Sequence, residues 1–353
     1  MAVSGSYDLF SADARFVIER AYARCKRKPS DISAEDLINA RFELDVLLKE
    51  LVADGINLWC LEDVVIPLYP DQRIVDVPAG THDVLDPLNL RTVSNLGADV
   101  VSSSAGGDVT KAFDDDVETS LTQTSANGSI LATLSDPLAI PIVGILPAVT
   151  ASWNLAYEVA GADQVFRTVY QPGAATFTDR RWTWIEIPRA ESQLYFKIRE
   201  TGGGTLSIRE LVLGYGATEL PVTRENVNDY LAMPTKYQPT NRPVIFWFDR
   251  QRDATKMDVW PPASSIYQHL TGKRQRLIYD VGPFTNAIDV PSRWLRAIIT
   301  GLAGRIAETI PDLDEKRIVL IKASAKEALD FVDDDERDRS PIEIDFGIRG
   351  YTR

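Results

Sequence analysis

Asp114, Asp115 and Asp116 stand together in Ala112-Phe-Asp-Asp-Asp-Val-Glu-Thr-Ser-Leu, and adjacent carboxylates near backbone carbonyls are the ligand chemistry of a hard cation such as Ca²⁺. The run lacks the spacing of an EF-hand loop, and three adjacent aspartates more often form a solvated turn, so a solvated turn is the stronger reading and Asp114 and Asp116 are Ca²⁺ candidates only as its alternative. Metal is not otherwise called for. The two cysteines, Cys25 and Cys60, form no thiolate cluster and read as buried free thiols. The two histidines, His82 and His269, lie in polar, loop-like contexts with no nucleophile signature beside them. Neither a Gly-x-Ser-x-Gly elbow nor a phosphate-binding loop is present, so the chain reads as a non-enzyme with no required cofactor.

The elements that carry these residues follow from periodicity. Trp294, Leu295, Ile298, Ile299, Leu302, Ile306 and Ile310 recur at helical spacing as one wide apolar stripe. Asp289 is placed to cap this helix and Pro311 to end it. Gly301 and Gly304, each costing about 1 kcal/mol against Ala within a helix, imply a close neighbour. Helices are also expected over about 11–28, over 33–55 behind a Ser33/Asp36 capping box, and over 312–332. None can bury its stripe alone, so the two ends of the chain should form one bundle.

Between them the pattern becomes strand-like. Val64 to Leu68 and Arg73 to Val77 begin a small sheet, continued by a hairpin around Arg252-Asp253-Ala254 and a third strand over 274–281. From about Leu96 the composition shifts to Gly, Ser, Thr and Asp, followed by seven short strands separated by turns up to Tyr215, the pattern of a β-sandwich. Trp182 and Trp184 share one face of a strand, as inner core or as a ligand platform, with core the stronger reading. The expected fold is therefore α+β: residues 1–95 and 217–337 as a discontinuous helical domain with a small antiparallel sheet, 96–216 as an inserted all-β jelly-roll sandwich, and 338–353 as an extended C-terminal arm.

In that arm Ile342, Ile344, Phe346 and Ile348 alternate with Glu343, Asp345 and Arg349, a strand period that needs a partner; Tyr351 completes its apolar set. Strand addition to another subunit is the expectation, with folding back onto the small sheet as the alternative. The 353 residues suffice for two domains, no apolar run approaches a membrane span, and the first residues lack a signal-peptide pattern. A net charge of -13 argues against a DNA-gripping surface, though it suits a channel through which DNA slides. Arg24, Lys26, Arg27 and Lys28 form the one compact basic cluster, placed to offset a helix dipole.

Leu68-Tyr-Pro-Asp-Gln-Arg-Ile-Val-Asp-Val-Pro, Asp86-Pro-Leu-Asn-Leu-Arg, Asp229-Tyr-Leu-Ala-Met-Pro, Phe246-Trp-Phe-Asp-Arg-Gln, Val259-Trp-Pro-Pro and Asp289-Val-Pro-Ser-Arg-Trp-Leu occur in this order. Together they resemble the head-to-tail adaptor proteins of short-tailed bacteriophages. The resemblance implies a virion protein of the neck or tail, assembled in the host bacterial cytoplasm. It implies a ring, a dodecamer in the family, bound to the portal protein, prolonging the DNA channel and seating the tail nozzle or fibres.

Separately, Ala112-Phe-Asp-Asp-Asp-Val-Glu-Thr-Ser-Leu, Gly128-Ser-Ile-Leu-Ala-Thr-Leu, Tyr195-Phe-Lys-Ile-Arg and Ile208-Arg-Glu-Leu-Val-Leu-Gly are similar to discoidin or galactose-binding-like jelly rolls. Asp115 and Leu121 stand where those domains usually carry Gly and an aromatic. A carbohydrate-binding module on a helical scaffold is the alternative function.

Overall fold

The computed structural model describes residues 12–54, 58–95, 100–236, 242–251, 255–311 and 313–336. Two compact units result: a helical unit from residues up to Glu62 and from Gln275 onward, and a β unit over Asp63–Arg274. The expected arm residues Ile342, Ile344, Phe346, Ile348 and Tyr351 lie outside the described residues.

Four helices build the helical unit: α1 (Ala14–Arg24), α2 (Ala34–Asp54), and, after a short α3 (Val227–Ala232) in the β unit, α4 (Leu295–Thr309) and α5 (Glu315–Glu336). Asp13 starts α1 by accepting the Phe16 amide. The Ser33/Asp36 box forms reciprocally, the Asp36 amide donating to Ser33 Oγ at 3.1 Å and the Ser33 amide to Asp36 Oδ2 at 3.0 Å. The α4 stripe is the core: Trp294, Leu302 and Ala303 are fully buried among Val17, Ile18, Ala21, Leu44 and Leu48. Gly301 explains its own cost, since a Cβ there would stand 3.2 Å from Leu47 on α2, whereas Gly304 has only ordinary contacts with α5.

Asp289 does not cap α4. A 3-10 turn over Ser292–Trp294 precedes the helix, no side chain caps it, and Asp289 is held instead by Arg276, whose Nη1 and Nη2 donate at 2.5 and 2.9 Å. The ion pair outcompetes the cap because Arg276 is mostly buried and also meets Glu62 at 2.9 Å.

The β unit holds a two-layer sandwich. One layer runs Arg167–Tyr170, Ala151–Ala160, Gln193–Glu200, Ser129–Leu138 and Val100–Ser103. The facing layer places Ile142–Pro147 between Thr183–Glu186 and the first part of Ser207–Arg224. Trp153, Tyr157, Phe177 and Phe196 fill the space between the layers with Ile, Leu and Val side chains. Glu200 folds the Gly202-Gly-Gly turn by accepting the amides of Gly202 and Gly204 at 2.8 and 2.9 Å. The jelly-roll expectation and a separate helical part are thus both present in the fold.

The small sheet does not divide from the sandwich at 95/96 and 216/217. Ser207–Arg224 is one continuous strand whose first half pairs with Ile142–Pro147 and whose second half pairs with Leu88–Asn95. Shared ladder hydrogen bonds and a shared backbone make the two sheets one structure. The small sheet also includes one parallel step, Thr223 opposite Ile245, and its strand before α4 is Gln268–Arg276 rather than 274–281. His269 therefore sits on a strand, fully buried, and not in a loop.

Candidate functional site

The triple-aspartate loop follows a 3-10 turn over Val109–Ala112 and is shaped by its own carboxylates. Asp114 Oδ1 accepts the Asp116 amide at 3.1 Å, and Asp116 Oδ1 accepts the Glu118 amide at 3.0 Å. These bonds draw the chain into a turn that puts Asp115 at φ 58°, the left-handed position usually given to Gly or Asn. Thr119 Oγ1 lies 2.8 Å from Asp114 Oδ2, 3.2 Å from the Asp116 carbonyl and 3.3 Å from the Lys111 carbonyl. Four oxygens thereby converge within one loop.

A fifth group comes from the far strand. Glu210 is 2% exposed, its Oε1 is buried without a hydrogen-bond partner, and its carboxyl is pushed up to about 8. Burial is the main cause, followed by the hydrogen bond and charge of Asp114 and the charge of Asp115. Burial also opposes ionisation of Asp114, yet the bonds from Thr119, the Asp116 amide and Glu210 hold that carboxyl below its usual range. One proton shared by two crowded carboxylates is the metal-free solution; a bound cation would serve the same end. No group of three or more His, Cys, Asp and Glu that could hold a metal occurs among the described residues. Two carboxylates, a hydroxyl and backbone carbonyls nonetheless make an all-oxygen set, which fits Ca²⁺ and not a softer transition metal.

Asp114 and Asp116 were legible in the sequence, Glu210 was not. It lies in Ile208-Arg-Glu-Leu-Val, where a register shift between Ile208 and Glu210 interrupts the pairing with Ile142–Pro147. Ile208, Leu211 and Leu213 all reach the sandwich core, so simple alternation does not give the facing of Glu210. Asp115, in the place of the usual glycine, accepts the hydroxyl of Tyr267 at 2.5 Å and so ties the loop to the small sheet. Burial and that carboxylate push the Tyr267 phenol up to about 12.

Trp182 and Trp184 are buried, at 3% and 6% exposure, but not inside the sandwich. They pack on the outer face of the second layer with Val93, Ile142, Leu146 and Val212. Their rings stack at 5.3 Å, and Trp184 stacks on His269 at 4.7 Å. Gly144, directly across from Trp184, makes the room: a Cβ there would come within 2.6 Å of the indole. Neither ring is open to stack on a sugar.

No protein-family model matches the chain, and no curated protein matches it. Solved structures similar to its sandwich include a pectin-binding carbohydrate-binding module, with a TM-score of 0.30 and 15% identity over 36% of this chain and 95% of that one. The family 32 module of Clostridium perfringens NanJ, in complex with galactose, has a TM-score of 0.30 and 18% identity over 35% of this chain and 99% of its own. Chitosan-binding module 1 of a Paenibacillus sp. IK-5 chitosanase/glucanase has a TM-score of 0.30 and 19% identity over 35% and 99%.

Proposed function

We propose that this chain is a structural, non-catalytic assembly protein, a head-to-tail adaptor that joins copies of itself and a portal protein into a ring around a DNA channel. The observation that carries the reading is the surface of the helical unit. Ile38 and Phe42 on α2 are 63% and 65% exposed, and Val319, Leu320 and Phe331 on α5 are 62% to 71% exposed. Ile38 and Phe42 lie one helical turn apart on α2 and Val319 and Leu320 are adjacent on α5, which groups exposed apolar side chains as a face covered by other protein would. The ordered motifs from Leu68 to Leu295 and the net charge of -13 support the same reading. Mixed with its cognate portal, the protein is expected to enter a ring visible by negative-stain microscopy, and Phe42→Glu with Leu320→Glu to prevent entry while the far-ultraviolet spectrum stays unchanged. Unimpaired entry of the double variant would remove the basis of this proposal.

A second reading rests on the oxygen-lined loop. The jelly roll would hold one Ca²⁺ through Asp114, Thr119, Glu210 and the carbonyls of Lys111 and Asp116, and the ion would supply the charge that lets both carboxylates ionise. The solved structures named above bind pectin, galactose and chitosan-type sugars, and a glycan ligand for this sandwich belongs to this reading. Calcium at about a hundredfold its dissociation constant is expected to stabilise the β unit by about 2.7 kcal/mol, and Glu210→Ala to remove that gain. Calorimetry with calcium chloride decides it; identical melting with and without the salt counts against the site.

A further inference from the structure

Outside these sites the helical unit carries a cavity of about 580 Å³ where the end of α1 meets the start of α5. Four cations line it, Lys26 and Arg27 just beyond α1 and Lys316 and Arg317 in the first turn of α5, against two carboxylates, Asp31 and Asp314. Lys26 and Lys316 are exposed, Arg27 and Arg317 half-buried. None of the four has a carboxylate within ion-pair distance among the described residues, although the chain holds 51 acidic residues against 38 basic ones. In a chain of net charge -13, four cations gathered in one cavity are a local excess, and the two aspartates offset their mutual repulsion only in part.

Two details set this cavity apart from a solvated basic surface. Arg317 donates Nη2 to the Arg24 carbonyl at 2.9 Å, which closes the end of α1, yet its Nε is buried with no hydrogen-bond partner among the described residues. A buried guanidinium N–H left unmet is costly, and an anion in the cavity would meet it. Lys26 stands at φ 60°, the left-handed position after a helix that usually falls to Gly or Asn, so a lysine is held there against a steric cost. The first amides of α5 are already satisfied: Asp314 Oδ1 accepts the Lys316 amide, and the Asp314 carbonyl accepts those of Arg317 and Ile318. Recognition therefore lies in the side chains. Two guanidinium groups offer forked donors that match phosphate oxygens, and two ammonium groups add point charges. Four cations less two carboxylates leave two positive charges, which a single carboxylate does not balance and a diphosphate does. The volume falls within the roughly 300 to 1,000 Å³ of small-molecule pockets, and half-buried Ile310 and Leu313 give it an apolar wall that a bare ion would not need. We infer that this cavity binds a small molecule bearing a di- or triphosphate, its phosphates held among Lys26, Arg27, Lys316 and Arg317. The inference is independent of both readings above.

The test is calorimetric titration of the full-length protein with inorganic pyrophosphate at constant ionic strength. One equivalent per chain is expected to bind and to raise the melting temperature, which sodium chloride of the same ionic strength should not do. Lys26→Gly removes one cation while relaxing the left-handed residue, and Lys316→Gln removes another from an exposed position, so the fold is kept. Together the two substitutions should weaken pyrophosphate binding at least tenfold without lowering the melting temperature of the ligand-free protein. Absence of saturable binding by the parent would overturn the inference, and so would an unchanged affinity in the double variant. Equal stabilisation by sodium chloride would reduce the effect to screening and overturn it as well. A single-stranded oligonucleotide that binds the parent and is not displaced by pyrophosphate would assign these cations to a nucleic-acid backbone instead, with the same consequence.

Discussion

Trp294→Ala is expected to destabilise the helical unit by about 3 to 5 kcal/mol. Trp294 is fully buried at the start of α4, its ring 6.3 Å from that of Trp59, and it belongs to the core shared by α1, α2, α4 and α5. Removing an indole from such a site costs both the transfer free energy of the ring and the cavity left behind. Collapse is limited because the neighbouring Trp59 is itself held from its other partner: the Arg276 guanidinium lies 5.8 Å from its ring and is in turn paired with Glu62 and Asp289. In a unit of this size the loss corresponds to a fall in melting temperature of roughly 10 °C. Urea unfolding of the variant measures it, and a change under about 1 kcal/mol would show that this stripe is not the structural core.

The second large effect depends on pH. Burial, and to a lesser extent the charge of Arg91, lowers the His269 imidazole to about 3, against an ordinary value of 6.5. Its ring is fully buried against Trp184, and neither ring nitrogen finds a hydrogen-bond partner among the described residues. Between pH 6.5 and 3 the unfolded chain therefore binds a proton that the folded chain refuses. Neutral His269 is fully tolerated above 6.5, and stability is lost as the pH falls below it. At pH 4 the loss is on the order of 3 kcal/mol, at about 1.4 kcal/mol per unit. His269→Phe keeps the stacked ring and removes the titration. Carboxylates titrate in the same range in both proteins, and any offset from the larger ring is constant, so the informative quantity is the difference in stability between variant and parent from pH 7 to pH 4. That difference should grow in favour of phenylalanine as the pH drops; parallel curves would mean that His269 is protonated in the fold.

Two carboxylates of the β unit respond to low pH in opposite directions, Glu210 against the His269 effect and Glu158 with it. Glu210 carries its proton more readily in the fold than in the unfolded chain, so the crowding of Glu210 against Asp114 eases as pH falls. Glu158, bracketed by Lys197 at 2.6 Å and Arg199 at 2.5 Å, is held below its usual range despite burial and loses its stabilising charge in acid.

Features written in short-range periodicity were legible from the residues alone. The α4 stripe, the Ser33/Asp36 box and the apolar faces of α1, α2 and α5 were readable because each helix must bury its own stripe, and four stripes at the two ends of one chain have each other as partners. The sandwich was readable as strands and turns for the same reason. Tertiary structure alone decided which face of each strand meets which neighbour. Trp182 and Trp184 read as residues of the sandwich interior, yet the layer that carries them has two buried faces, and they occupy the outer one, against His269. Asp289 had the spacing of a cap, but a mostly buried arginine distant from the helix start claimed it. Glu210 reaches Asp114 only because an irregular strand turns it there, and the long Ser207–Arg224 strand binds two sheets that composition had separated. These are contacts between residues far apart in the chain, set by register and by competition for partners, and no local pattern encodes either.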